Sequence, residues 1–280
     1  MHRESDKQPE EPTPAFLARE GDDFVEAERL LRQSLALRPD ETALQLGLAD
    51  VMRAQARYAE AESLARRILD RLPEISAGDS QAALAATNIV GHARLACGSP
   101  RDAIQLFERA VALGVRLGPS MNPHLAEAWL GLCEAHDENG DSAGLGAALG
   151  RARAAVDELG ADHRLQVDVR YWEAILAATA RRLAETERAL DRALAIAKTE
   201  SAYDHAIQLK VRHTLGTLYR AQQRYDEAEA LFESLLPEVA RRLSLRHERY
   251  SLVLHSFARV RRTQGRWREA EAMLAEALEG

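Results

Sequence analysis

Six small residues, Ala49, Gly91, Cys133, Ala174, Gly216 and Ala258, recur along the chain at steps of 42, 42, 41, 42 and 42. Two helix backbones approach closely only where the side chain between them is small, so this column predicts one helical hairpin built six times. Self-similarity at a period of about 20–50 residues marks a stacked repeat array. It overrides the one or two globular domains that 280 residues would otherwise suggest, because a solenoid buries one continuous core between neighbours and grows without splitting.

A second column lies twelve positions downstream: Ala61, Ala103, Leu145, Thr186, Ala228 and Ala270, with Ala27 standing 34 residues before Ala61. Three positions earlier most units carry a larger apolar group: Phe24, Tyr58, Leu183, Tyr225 and Trp267. Seven positions later comes a third column: Ser34, Ile68, Ala110, Ala152, Ala193, Leu235 and Ala277. Residues three, four and seven apart share one helix face, so these positions form a stripe on a second helix. Each unit therefore reads as helix A, a tight turn, then helix B. The stretches GDD (21–23), GSP (98–100), NGD (139–141) and QGR (264–266) supply turns whose glycine accepts the left-handed end of a helix. Pro39 and Pro73 close helix B of the first two units, and connectors between units are expected near 78–81, 118–123, 160–163, 200–204 and 244–248.

The stretches RYDEAEALFESLL (224–236), GRWREAEAMLAEAL (265–278), ARYAEAESLARRILDRLP (56–73) and AWLGL (128–132) resemble the tetratricopeptide repeat. The first step of 34 residues is that family's usual length, and the later step of 42 is similar to the longer version found in kinesin light chains and bacterial signalling proteins. The resemblance implies an all-α, right-handed superhelical solenoid of about six units plus a partial one. It spans residues 14–280, behind a disordered tail over 1–13. Eight added residues lengthen a unit by about 12 Å of helix, so the later units should be taller than the first. Helix B of the third unit carries Gly144, Gly146 and Gly150 and is expected to be the weakest element. The array ends without a polar capping helix, which predicts exposure of Met273 or Leu274, or self-association through that end.

A formal charge of −7 and a pI near 5.8 argue against nucleic acid or an anionic membrane as partner. No stretch approaches the roughly 18 uninterrupted apolar residues of a membrane span. Cys97 and Cys133 are well separated without metal-type spacing, and are expected as buried free thiols in a cytoplasmic protein. The chain has no phosphate-cradling glycine loop, HExxH, GxSxG or paired Cys-x-x-Cys, so the reading is not an enzyme and requires no cofactor. Cys133 and His136, with His92 nearby by repeat position, make a metal half-site at most. The plainer reading is that Cys133 fills the small-residue slot.

In an array of this kind the inner wall is lined mainly by helix A. Indexed from the small column, its middle units present Glu127, Glu134, Asp137 and Asp168, four acids and no base. The last two units present Lys210, His213, Arg220, His255, Arg259 and Arg262, four permanent positive charges and two histidines without an acid. Such segregation steers an oppositely charged ligand. These six residues are the candidate contacts for an acidic peptide or helical segment of a protein partner. The alternative is that the arginines solvate the groove or pair with neighbouring acids. Two histidines near neutral titration predict tighter binding below about pH 6.5. Some relatives grip a carboxyl-terminal tail through a fixed Lys, Asn and Arg set. Here those slots read His213, Thr217, His255 and Arg259, which does not match that clamp. The leading function is thus a non-enzymatic interaction scaffold. The alternative is a regulatory or sensor module of a signalling or transcription system that switches partners, using the glycine-rich third unit.

Overall fold

The computed structural model describes residues 24–72, 77–118, 123–161, 163–197, 205–243 and 248–279. Among them are thirteen α-helices and no strand: α1 Phe24–Leu37, α2 Thr42–Ala54, α3 Tyr58–Arg71, α4 Ala77–Ala96, α5 Pro100–Leu117, α6 Pro123–Glu138, α7 Ser142–Leu159, α8 Leu165–Thr179, α9 Leu183–Ala197, α10 His205–Ala221, α11 Tyr225–Leu243, α12 Glu248–Thr263 and α13 Trp267–Glu279. From α2 onward they pair into six antiparallel hairpins, and α1 is the B helix of a partial unit before them. The tail, the turn at 21–23 and Pro73 lie outside the described residues.

The small column does what its spacing predicts. Every member of it, and every member of the column twelve positions on, is buried. Thr186 is tolerated in the second column because its hydroxyl donates to the Arg182 carbonyl at 3.1 Å, leaving no unmet polar group. The A helices of consecutive units pack directly on one another, from α2 against α4 to α10 against α12, whereas the B helices contact chiefly the A helices on either side. The stack therefore closes on its A side, and the A helices line the groove.

All six turns share one geometry. Ala56, Gly98, Gly140, Arg181, Gln223 and Gly265 take φ between 57° and 79°, at steps of 42, 42, 41, 42 and 42. In each turn the next residue's N–H reaches the carbonyl five back, as Arg57 does to Met52 at 2.9 Å and Arg224 to Tyr219 at 2.9 Å. This is the Schellman ending, and it reverses the chain into helix B.

The first unit has helices of 13 and 14 residues, and the second 20 and 18, so the taller later unit is present. The glycine-bearing α7 is an unbroken helix of 18 residues. Three expectations are corrected. The connector expected at 78–81 lies inside α4, which starts at Ala77. Cys97 is exposed, one residue beyond α4, and only Cys133 is a buried thiol. At the far end Met273 and Leu274 are half-buried, with Met273 packed against the core around Val253 and Phe257. The exposed large apolar groups there are Trp267 and Leu278.

Candidate interaction groove

The middle of the groove carries three sets of ion pairs. Asp50 and Arg53 of α2 meet at 2.7 Å. On α6, Glu127 sits 3.0 Å from His124 and 2.6 Å from Arg164. Two turns further on, Glu134 sits 3.1 Å from Lys210 and 3.5 Å from His92. Burial pushes the Glu127 carboxyl up, but the His124 hydrogen bond and the Arg164 charge outweigh it and hold it at about 2. Glu134 is held well below the usual carboxylate range in the same way, burial being overcome by Lys210 and His92. Lys210 also lies over the Tyr171 and Trp172 rings, 4.8 and 5.0 Å from their centroids. Asp137 has no such partner among the described residues, and burial raises its carboxyl.

The six basic residues indexed from the sequence are therefore not one cluster. Lys210 is tied across to the third unit. His213, on α10, hydrogen-bonds Ser256 of α12 at 2.8 Å and meets the Phe232 ring edge-on at 6.0 Å. Burial, with the nearby Arg249 charge, lowers it to about 4, so it stays neutral at pH 6.5 and the expected tightening near that pH cannot come from it. Arg220 is half-buried on α10, while His255, Arg259 and Arg262 are exposed on α12. Among the described residues, Arg220, Arg259 and Arg262 have no carboxylate partner. Burial first, then the charges of Arg259 and Arg262, lowers Arg220 from its ordinary value.

Cys133 is the buried thiol beside the two histidines indexed with it. Burial raises the Cys133 thiol to about 12, far from a reactive thiolate. His136 turns to Asp141 and His92 to Glu134, so neither joins Cys133. Among the described residues no group of three His, Cys, Asp or Glu side chains is placed to hold a metal ion. No helix among them is long and apolar enough to cross a membrane. Sequence reasoning missed the Glu134–Lys210 tie, whose partners are 76 residues apart.

Two family models described as tetratricopeptide repeat match the chain, at residues 18–89 and 169–237. No curated protein sequence matches it. Among solved structures, one chain of the APC/C hetero-tetramer Cut9-Hcn1 is similar at a TM-score of 0.66 and 17% identity, over 94% of this chain and 44% of that one. The apo form of RapI is similar at a TM-score of 0.65 and 12% identity, over 95% and 94%. A Podosopora anserina protein assigned to the kinesin light chains, with nearly identical TPR-like repeats, is similar at 0.51 and 21% identity, over 71% and 95%. At these identities the likeness is one of fold.

Proposed function

Because the chain belongs to the tetratricopeptide repeat family, we propose that it is a non-catalytic scaffold whose groove holds an acidic segment of a partner protein. The observation that carries this reading is the unpaired set Arg220, Arg259 and Arg262 on two adjoining A helices. The Arg259 and Arg262 charges act against the Arg220 guanidinium, and a carboxylate-bearing ligand relieves that repulsion while forming charge-assisted hydrogen bonds. His255 adds a further polar contact beside them. Lys210 and His213 line the adjoining floor, Lys210 with its charge already balanced by Glu134. The basic groups in the middle of the groove are spent on its own acids, so the ligand's charged end is held at the last two units.

The test is fluorescence anisotropy with a labelled Glu-rich peptide and a Lys-rich control, on the full chain. Wild type binds the Glu-rich peptide alone, with an affinity that falls as salt rises. The Arg259→Glu, Arg262→Glu double variant retains its helical circular dichroism and loses binding. Equal binding by that variant, or equal binding of both peptides, overturns the proposal.

A further inference from the structure

A second feature lies on the opposite side of the third unit. Wherever a B helix with a unit after it carries glutamate immediately past its second-column residue, an arginine from that next unit holds it. Glu28 meets Arg57 at 2.7 Å, Glu62 meets Arg94 at 2.6 Å, Glu187 meets Arg224 at 2.6 Å, and Glu229 meets Arg266 at 2.8 Å. On α5 and α7 that position is Ile104 and Gly146. The ladder at that position is thus interrupted on both sides of the third unit, although Arg153 of α7 still pairs with Glu173 of α8. Arg182, which stands where Arg57 and Arg224 do, pairs within its own turn, with Glu185 at 2.7 Å.

Here the structure has an open surface pocket of about 310 Å³ between α5, α6 and α7, with Glu108, Ala147 and Arg151 at its exposed rim. Trp129 and His136 line it from α6. They stand two residues out of register with the groove residues Glu127 and Glu134, on the far face of the helix. Val111 comes from α5 and Ala147 from α7, and the two charges beside it are Glu108 of α5 and Arg151 of α7. Neither Glu108 nor Arg151 has an ion-pair partner among the described residues. The run of small residues on α7 makes the room. A Cβ on Gly144, which also lines the pocket, would collide with His136 Nδ1 and Asp141 Oδ2. His136 Nδ1 lies 3.0 Å from Asp141 Oδ2 but off the direction a hydrogen bond needs, leaving a buried nitrogen without a hydrogen-bond partner. The side-chain space at Gly144 is therefore taken up by His136 and Asp141, and the short Ala147 and Ala148 side chains leave the pocket open along α7.

We infer that this pocket is a binding site for a small zwitterion with a large apolar body, of the α-amino-acid class. Its size is at the lower end of ligand pockets, room for about ten waters, which suits a side chain as large as leucine or phenylalanine. Trp129 and Val111 give the apolar walls. Glu108 receives the ammonium group and Arg151 the carboxylate, so a molecule of zero net charge satisfies both and an ion of either sign satisfies only one. Seated between α5 and α7, the ligand bridges the B helices of two adjoining units. The site does not depend on the groove reading.

The experiment is a titration of the full chain, isotope-labelled, with L-phenylalanine and L-leucine by NMR, beside 3-phenylpropionate and phenethylamine as half-charged controls. The amino acids shift the Trp129 indole signal saturably, and each control binds at least tenfold more weakly. Ala147→Phe, at an exposed position of the pocket lining, abolishes the shift, and Glu108→Gln and Arg151→Gln each weaken it at least tenfold. The Arg259→Glu, Arg262→Glu variant titrates as wild type, which separates this site from the groove. The inference is overturned if the amino acids give no saturable shift, if the controls bind equally, or if Ala147→Phe leaves binding intact.

Discussion

Gly91 and Phe107 are fitted to each other: a Cβ on Gly91 would stand 2.7 Å from the Phe107 ring, which is fully buried. Gly131 of the next unit closes on the same ring. Gly216 and Phe232 repeat the relationship, again at 2.7 Å. Where the small slot is Cys133 or Ala174, the residue in the place of the phenylalanine is Leu149 or Leu190, smaller by the bulk of a ring. The slot and its filler thus vary together in these units, and the array keeps constant packing from unlike residues.

Gly91→Ala should destabilise the array by about 1–3 kcal/mol through overpacking, and Phe107→Leu by a similar amount through the cavity it leaves. The double variant recreates the Ala174–Leu190 arrangement and should be more stable than the sum of the two losses allows. Thermal or denaturant unfolding of all four chains measures that coupling. Strict additivity would show that the two residues are fitted to other neighbours and not to each other.

Arg181 holds φ at 57°, a conformation that costs an L-residue about 1–2 kcal/mol and glycine much less. Arg181→Gly should therefore raise stability by roughly 0.5–1 kcal/mol, and Gly140→Ala, at φ 73°, should lower it. On α7, nothing lies within 4 Å of where a Gly150 Cβ would stand, so Gly150→Ala should add about 1 kcal/mol. Gly144→Ala should do the opposite, because His136 and Asp141 occupy the space. Unfolding midpoints of the four variants decide each sign.

The packing columns were legible because a close helix approach admits only a few residue types, and those types repeat in register. The turn column was half legible. Gly98, Gly140 and Gly265 announce it, whereas Ala56, Arg181 and Gln223 adopt the same left-handed backbone at a cost that composition does not reveal. Gly78 and Asp79 are both of types that favour turns, yet α4 runs through them, local preference giving way to the length of helix that the second unit packs. The order of acids and bases along the A helices was readable from repeat register. That Lys210 leaves the basic end to meet Glu134 was not, because it depends on how far the stack curves over two units.

His213 gives the array a pH dependence with a defined sign. Its folded value is about 4, held down by burial, against 6.5 for an ordinary histidine. Below 6.5 the unfolded chain takes up a proton that the folded chain refuses. Stability contributed by the neutral ring is thus complete above pH 6.5 and lost as pH falls towards 4. The melting temperature should drop across that interval, and His213→Gln, which keeps a hydrogen-bonding group facing Ser256, should flatten the drop. An unchanged profile in the variant would assign the acid sensitivity to other groups. Glu127, depressed to about 2, acts lower, its contribution fading only as pH falls from about 4.5 to 2.

Lys210 and Glu134 join the fifth unit to the third across the groove, so their pair bears on the curvature of the array as well as its stability. Lys210→Met leaves the Glu134 carboxylate half-buried with His92 as its remaining neighbour at 3.5 Å. Removing one partner of a fully buried pair costs about 3–5 kcal/mol, and partial exposure of this one reduces the expected loss to about 1–3 kcal/mol. Glu134 is depressed in the folded state, so its contribution is present above about pH 4.5 and fades below it. The gap between wild type and Lys210→Met should accordingly be widest near neutrality and shrink in acid. Adding Glu134→Met removes the stranded charge and should restore most of the stability, while small-angle scattering reports whether the array opens once the tie is gone. A loss that is the same at about pH 7 and about pH 3 would mean that Lys210 acts through its stem packed on Tyr171 and Trp172, and not through its charge.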